Sequence, residues 1–186
     1  FAAYGEAQKR LEAAIEAAIA AEAELADWPG PGCGRRQEDG MCVTLIWAVN
    51  RAAWTEDAQR YTERRLGVAP HPSEHRIVSA HLRDSAATFT LERRMCDCDA
   101  LVGLGERDLV DGEATAEEWL HWLRDLPSRA PAVAQVAVLR AWSPERPKLT
   151  PSRQRVVPLD DVDEAVLRDV QDGELLVVTY PDPWSR

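Results

Sequence analysis

The chain has 186 residues, 45% hydrophobic and 29% charged, and its 32 acidic against 22 basic side chains give a formal charge of −10. That length fits one globular domain, or a domain with an appendage, whose folding buries roughly 70% of the unfolded chain's surface. The acidic balance opposes general nucleic-acid binding, which depends on Lys and Arg at phosphates. No apolar run nears the roughly 20 residues of a membrane helix, and no basic-then-apolar leader opens the chain, so a cytoplasmic protein off the membrane is expected.

Residues 1–28 combine many alanines with Glu6, Glu12, Glu16, Glu22 and Glu24, all strong helix formers, and predict one long helix. Its apolar stripe is narrow, built from Tyr4, Leu11, Ile15, Ile19 and Leu25, and needs the main domain, a protein partner or a second copy of the chain to cover it. Trp28-Pro29-Gly30-Pro31-Gly32-Cys33-Gly34 breaks the helix. The expected organisation is therefore a helix and Pro/Gly linker over 1–40 and a compact domain over 41–186.

Cys42–Val49 is apolar and β-branched, the pattern of a buried strand. Thr55 is placed to cap a helix over 56–66 that stops at Gly67. Residues 76–82 and 87–93 each alternate in polarity around a short polar turn, which predicts a hairpin. After a Gly- and Asp-rich loop over 94–114, Thr115 and Glu118 form a capping-box pattern for a helix through Leu126, ended by Pro127. A strand over 133–142, an edge strand over 153–157, a helix capped by Asp160 and a last strand over 175–180 complete the reading. The order β-α-β-β-α-β with C-terminal β-α-β additions is that of an α+β, split βαβ or ferredoxin-like arrangement. That architecture serves many functions and assigns none.

In a split βαβ sheet the first and third strands are antiparallel neighbours, so the start of one lies beside the end of the other. Cys42 begins the first strand, Cys96 and Cys98 follow the third, and Cys33 sits in the segment entering the first. All four are expected at one sheet edge, with His75 and His71 within reach. Thiolates with an optional imidazole suit zinc, so Cys33, Cys42, Cys96, Cys98 and His75 are the candidate metal ligands. The same cysteines also read as a disulfide or redox thiol pair, or as buried small hydrophobes. His81 and His121 lack sequence partners and read as structural.

Arg35-Arg36, Arg64-Arg65 and Arg93-Arg94 fall near the same edge, where they either bind an anion or neutralise surface carboxylates, the latter being favoured. No phosphate loop, Gly-x-Ser-x-Gly elbow or His-Glu-x-x-His motif occurs. The leading expectation is a non-catalytic binding or assembly domain with a structural Cys-ligated zinc. The alternatives are a thiol-dependent enzyme or redox protein using Cys96 and Cys98, and an acidic inhibitor or immunity-type protein that meets a basic partner.

Overall fold

The computed structural model describes residues 42–82, 86–91, 93, 96–142 and 147–181. The expected N-terminal helix, Cys33, Arg35, Arg36, Arg94 and Trp184 lie outside the described residues.

The protein is a mixed α+β domain built on a mostly antiparallel sheet. Its strands are β1 (Val43–Asn50), β2 (His71–Pro72), β4 (Ala86–Thr90), β5 (Gln135–Trp142), β7 (Arg153–Pro158) and β8 (Glu174–Thr179), in the order β2-β4-β1-β5-β8-β7. Every neighbouring pair is antiparallel except β7 with β8. β3 (Arg76–Ile77) and β6 (Lys148–Leu149) pair separately in parallel. The helices are α1 (Glu56–Leu66), α2 (Ala116–Arg129) and the short α3 (Glu164–Arg168) between β7 and β8.

β1 is apolar throughout because both of its faces are covered, the situation that removes alternation from a strand sequence. One face presents Leu45, Trp47 and Val49 to the helices, which supply Ala58, Tyr61, Leu66, Trp119, Trp122, Leu123, Leu126 and Leu167. The other presents Ile46 and Ala48, with Ala137, Leu139, Leu175 and Val177 beside them, to a thinner cover of Ile77, Leu82 and Leu149. On the helical face Trp47 stacks on Trp119 at 4.7 Å between centroids and meets Trp122 edge-on at 5.4 Å. Thr62, buried in α1, accepts a 2.9 Å hydrogen bond from Trp122 Nε1 and so ties α1 to α2.

The helix boundaries follow from caps. Thr55 accepts from Ala58 N, and Gly67 closes α1 in the left-handed conformation at φ 70°. Thr115 and Glu118 form the full reciprocal capping box of α2.

Several expected elements are placed differently. α2 runs through Pro127 to Arg129 instead of ending at Leu126. Proline removes the N–H that would bond the Leu123 carbonyl one turn back, and the Tyr180 hydroxyl donates to that carbonyl at 2.8 Å in its place. The hairpin expected from 76–82 and 87–93 is not formed. β4 pairs with His71–Pro72 instead, and the 76–82 segment crosses the sheet's second face, burying Ile77 and Leu82. The last helix is capped by Asp163, whose side chain accepts from Val166 N, while Asp160 lies in a 3-10 turn over Leu159–Asp161.

The loop after β4 is fixed at both ends. Its start lies along β1, as described below, and Gly103 N and Gly105 N donate to Leu167 O and Arg168 O, satisfying carbonyls at the end of α3. Gly103 has φ 78°, and a Cβ there would run into the Arg140 side chain and the Val170 carbonyl. At the far side of the sheet Glu174, 0% exposed, is neutralised by Arg155 Nε at 2.8 Å and accepts from Gln171 N at 3.0 Å.

Candidate thiol site

β4 pairs with β1 only from Trp47 onward, so the first residues of β1 present unpaired backbone groups on that side. The segment Cys96–Asp97–Cys98 takes over as a strap. Asp97 N donates to Val43 O at 2.9 Å, Leu45 N donates to Asp97 Oδ2 at 2.7 Å, and Val43 N lies 3.4 Å from Cys98 Sγ as donor to sulfur. Asp97 is only 8% exposed, and a carboxylate so placed is tolerated because fixed N–H groups replace its water. Arg107 extends the fixation, donating through Nη2 to Cys98 O at 2.7 Å and lying 3.8 Å from Asp99.

This brings Cys42, Cys96 and Cys98 to one end of the sheet. Cys96 is disulfide-bonded, while Cys42 and Cys98 are reduced and half-buried. The thiolate is the form of a reduced cysteine that attacks a disulfide. Three sulfurs in two oxidation states thus share a short strap and the strand it covers.

The imidazoles are placed elsewhere. His71 sits opposite Thr90 in the outermost strand, two strands from β1. His75 lies in the segment crossing the second face, its N–H bonded to Ser73 Oγ at 3.1 Å. Among the described residues no three His, Cys, Asp or Glu side chains gather as a metal group. His81 is in a turn, its carbonyl accepting from Gln135 Nε2. His121 on α2 contacts the Arg65 guanidinium through Nδ1 and lies 3.9 Å from Glu117.

Of the three described arginines of the expected cluster, Arg64 is exposed on α1, and Arg65 and Arg93 serve the fold. Arg65 is engaged by His121, and Arg93 donates to the Leu66 and Gly112 carbonyls, closing the end of α1. Beside them a cavity of about 10 Å³, the size of about one water, is lined by Leu66, Arg93, Asp97, Trp47 and Trp119 among others. Trp47 is 2% exposed and its Nε1 finds no acceptor among the described residues.

Of the four cysteines expected together, Cys42, Cys96 and Cys98 lie at one end of the sheet and Cys33 is outside the described residues, while Asp97, the anchor of the strap, was not among the expected site residues. The available signal was an acidic residue flanked by two cysteines directly after a strand.

No family model, curated protein or solved structure matches the chain. Among the described residues no helix is long and apolar enough to cross a membrane.

Proposed function

We propose that this chain is a binding domain that performs thiol–disulfide exchange with a protein partner at the Cys96–Asp97–Cys98 strap, on a split βαβ, ferredoxin-like core. The strand order β5-β1-β4-β2 with antiparallel neighbours supports that core. The observation that carries the function is an oxidised Cys96 two residues from a reduced Cys98, both held against β1.

The exchange balances in atoms and electrons. Cys98, as thiolate, attacks the Cys96 sulfur; the Cys96–Cys98 bond forms, the existing bond breaks, and its other sulfur leaves as thiolate and takes up a proton. A partner dithiol reduces the resulting disulfide by the same attack twice, its two sulfurs supplying the two electrons and becoming the new disulfide. Asp97 fixes the strap without entering the chemistry.

Differential alkylation with mass spectrometry tests the reading. Native protein is expected to label at Cys42 and Cys98, with Cys96 labelled only after reduction. On incubation at about pH 8.5 without reductant, where the thiolate is populated, a Cys96–Cys98 disulfide is expected in the native chain and not in Cys98→Ser, and an added dithiol is expected to remove it.

A closed zinc site is the second reading, favoured by the convergence of cysteines from separate parts of the chain. Its ligands would be Cys33, Cys42, Cys96 and Cys98 in the reduced protein, with His75 as the alternative. Elemental analysis separates the two. About one zinc per chain, with all thiols masked until chelation, overturns thiol exchange and selects the metal site.

A further inference from the structure

A second feature lies away from the cysteines, at the opposite end of β1. The chain leaves β1 through the 3-10 turn Arg51–Ala53, and Trp54 closes that turn. The Trp54 indole is stacked on Phe89 of β4, with centroids 4.0 Å apart and planes at 13°. Phe89 is buried, so the indole is backed by the core and held in one orientation. Its backbone is fixed as well, since Gln59 Nε2 donates to Trp54 O at 3.4 Å.

In front of this platform is a cleft of about 360 Å³, lined by Arg51, Trp54, Gln59, Pro70, Pro72, Ser73, Ala87 and Thr88. That volume is at the small end of the range for small-molecule sites, roughly 300–1,000 Å³. The walls are stiff: Pro70 precedes β2 and Pro72 lies in it, and Ser73 N donates to Thr88 O at 3.0 Å, fastening β2 to β4. An indole and two prolines give the cleft apolar, flat surfaces.

The charge of the lining is the informative part. The chain carries 32 acidic side chains, yet among the described residues no carboxylate lines the cleft, and Arg51 is the only charged residue that does. No ion pair or hydrogen bond holds the Arg51 guanidinium among the described residues. Neighbouring arginines are engaged: Arg60 pairs with Glu56 at 2.6 Å, and Arg65 contacts His121. A guanidinium kept from carboxylates beside a fixed aromatic plane matches a ligand that carries its own anion on a flat ring.

We propose that this cleft binds a small aromatic carboxylate, its ring against Trp54 and its carboxylate on Arg51 in the paired geometry that guanidinium favours. The site is separate from the thiol strap and holds whichever reading of the cysteines is correct.

Titration of the full chain with 2-naphthoate, followed by calorimetry and by backbone and indole NMR shifts, tests it. Saturable binding at about millimolar concentration is expected for a probe of this size, with shifts at Trp54, Ala87 and Thr88. Naphthalene-2-carboxamide, which keeps the ring and loses the charge, is expected to bind about tenfold more weakly, and so is Arg51→Gln with native probe. Arg51→Lys is expected to fall between Arg51→Gln and the unaltered protein, because it keeps charge without the fork. Arg51 is exposed, so these variants leave the core intact. Absence of binding, equal binding by Arg51→Gln, or shifts confined to other surfaces would overturn the proposal.

Discussion

At the scale of single residues, the decisive groups are polar atoms taken out of water and given fixed partners. Asp97 holds the strap through the 2.7 Å bond from Leu45 N, and without it that amide faces an apolar surround. Asp97→Ala is expected to cost about 1–3 kcal/mol, read as a lower urea midpoint, whereas Asp97→Asn keeps an oxygen acceptor and costs less. Equal losses would show that the acceptor is not what matters. Tyr180 poses the same question at Leu123, whose carbonyl lost its helical donor to Pro127. Tyr180→Phe leaves that carbonyl unbonded and is expected to cost about 1 kcal/mol near neutral pH. Burial pushes the Tyr180 hydroxyl well above its ordinary pKa. The unfolded chain therefore ionises first, so the stability this residue adds is complete below about pH 10 and is lost as pH rises further. Tyr61 shifts the same way, through burial and then Asp125. The comparison with Tyr180→Phe isolates Tyr180: the gap between the two proteins should hold up to about pH 10 and narrow above it.

At the scale of elements, α2 depends on its first turn because the capping box satisfies donors that no earlier helical carbonyl faces. Thr115→Ala removes the acceptor for Glu118 N and is expected to cost about 1 kcal/mol. The bond from the Thr115 backbone, ahead of other influences, holds the Glu118 carboxyl below its usual range. Its contribution is present above about pH 4 and lost as pH falls below, so a Glu118→Ala deficit should shrink in acid, while the Thr115→Ala deficit, whose variant keeps that backbone donor, should change less. Both can be read from denaturant midpoints at two pH values. These caps are also where the sequence was most legible. Thr55, Gly67 and the Thr115–Glu118 pair act through bonds within a few residues of themselves. What was not legible depends on distant partners. Pro127 signals a helix end unless a hydroxyl 53 residues later replaces its donor. Alternation over 76–82 groups Val78 with Leu82, but the segment covers a second face instead of extending the sheet, so Ile77 and Leu82 are buried while Val78 is exposed. The acids at 160, 161, 163 and 164 offered several caps, and only the turn over Leu159–Asp161 decides for Asp163.

At the scale of the whole molecule, two unequal covers share one sheet, helices with a tryptophan cluster on one face and a thin strap of β3, β6 and turns on the other. The meeting of Cys42 with Cys96 and Cys98 was legible because antiparallel neighbours place one strand's start at the other's end, and β1 and β4 are such neighbours. The distance of His75 from them was not, because it follows from the unformed hairpin. Native-state hydrogen exchange tests how this architecture distributes stability. Ile46 and Ala48 in β1, and Ala137 and Leu139 in β5, are buried in the middle of the sheet and are expected to exchange only on global unfolding. The two-residue pairings of β2, β3 and β6 are expected to open locally and exchange sooner. The strap end falls between these limits and links stability to the proposed chemistry. Leu45 N is bonded to a carboxylate, whereas Val43 N is directed at a sulfur, a weak acceptor, 3.4 Å away. Val43 should therefore exchange faster than Leu45, and transfer of Cys98 into a disulfide should accelerate Val43 further while leaving Leu45 slow. If both amides change together on oxidation, the strap moves as a unit and Asp97 is not its anchor; if neither changes, Cys98 is not the sulfur that exchanges.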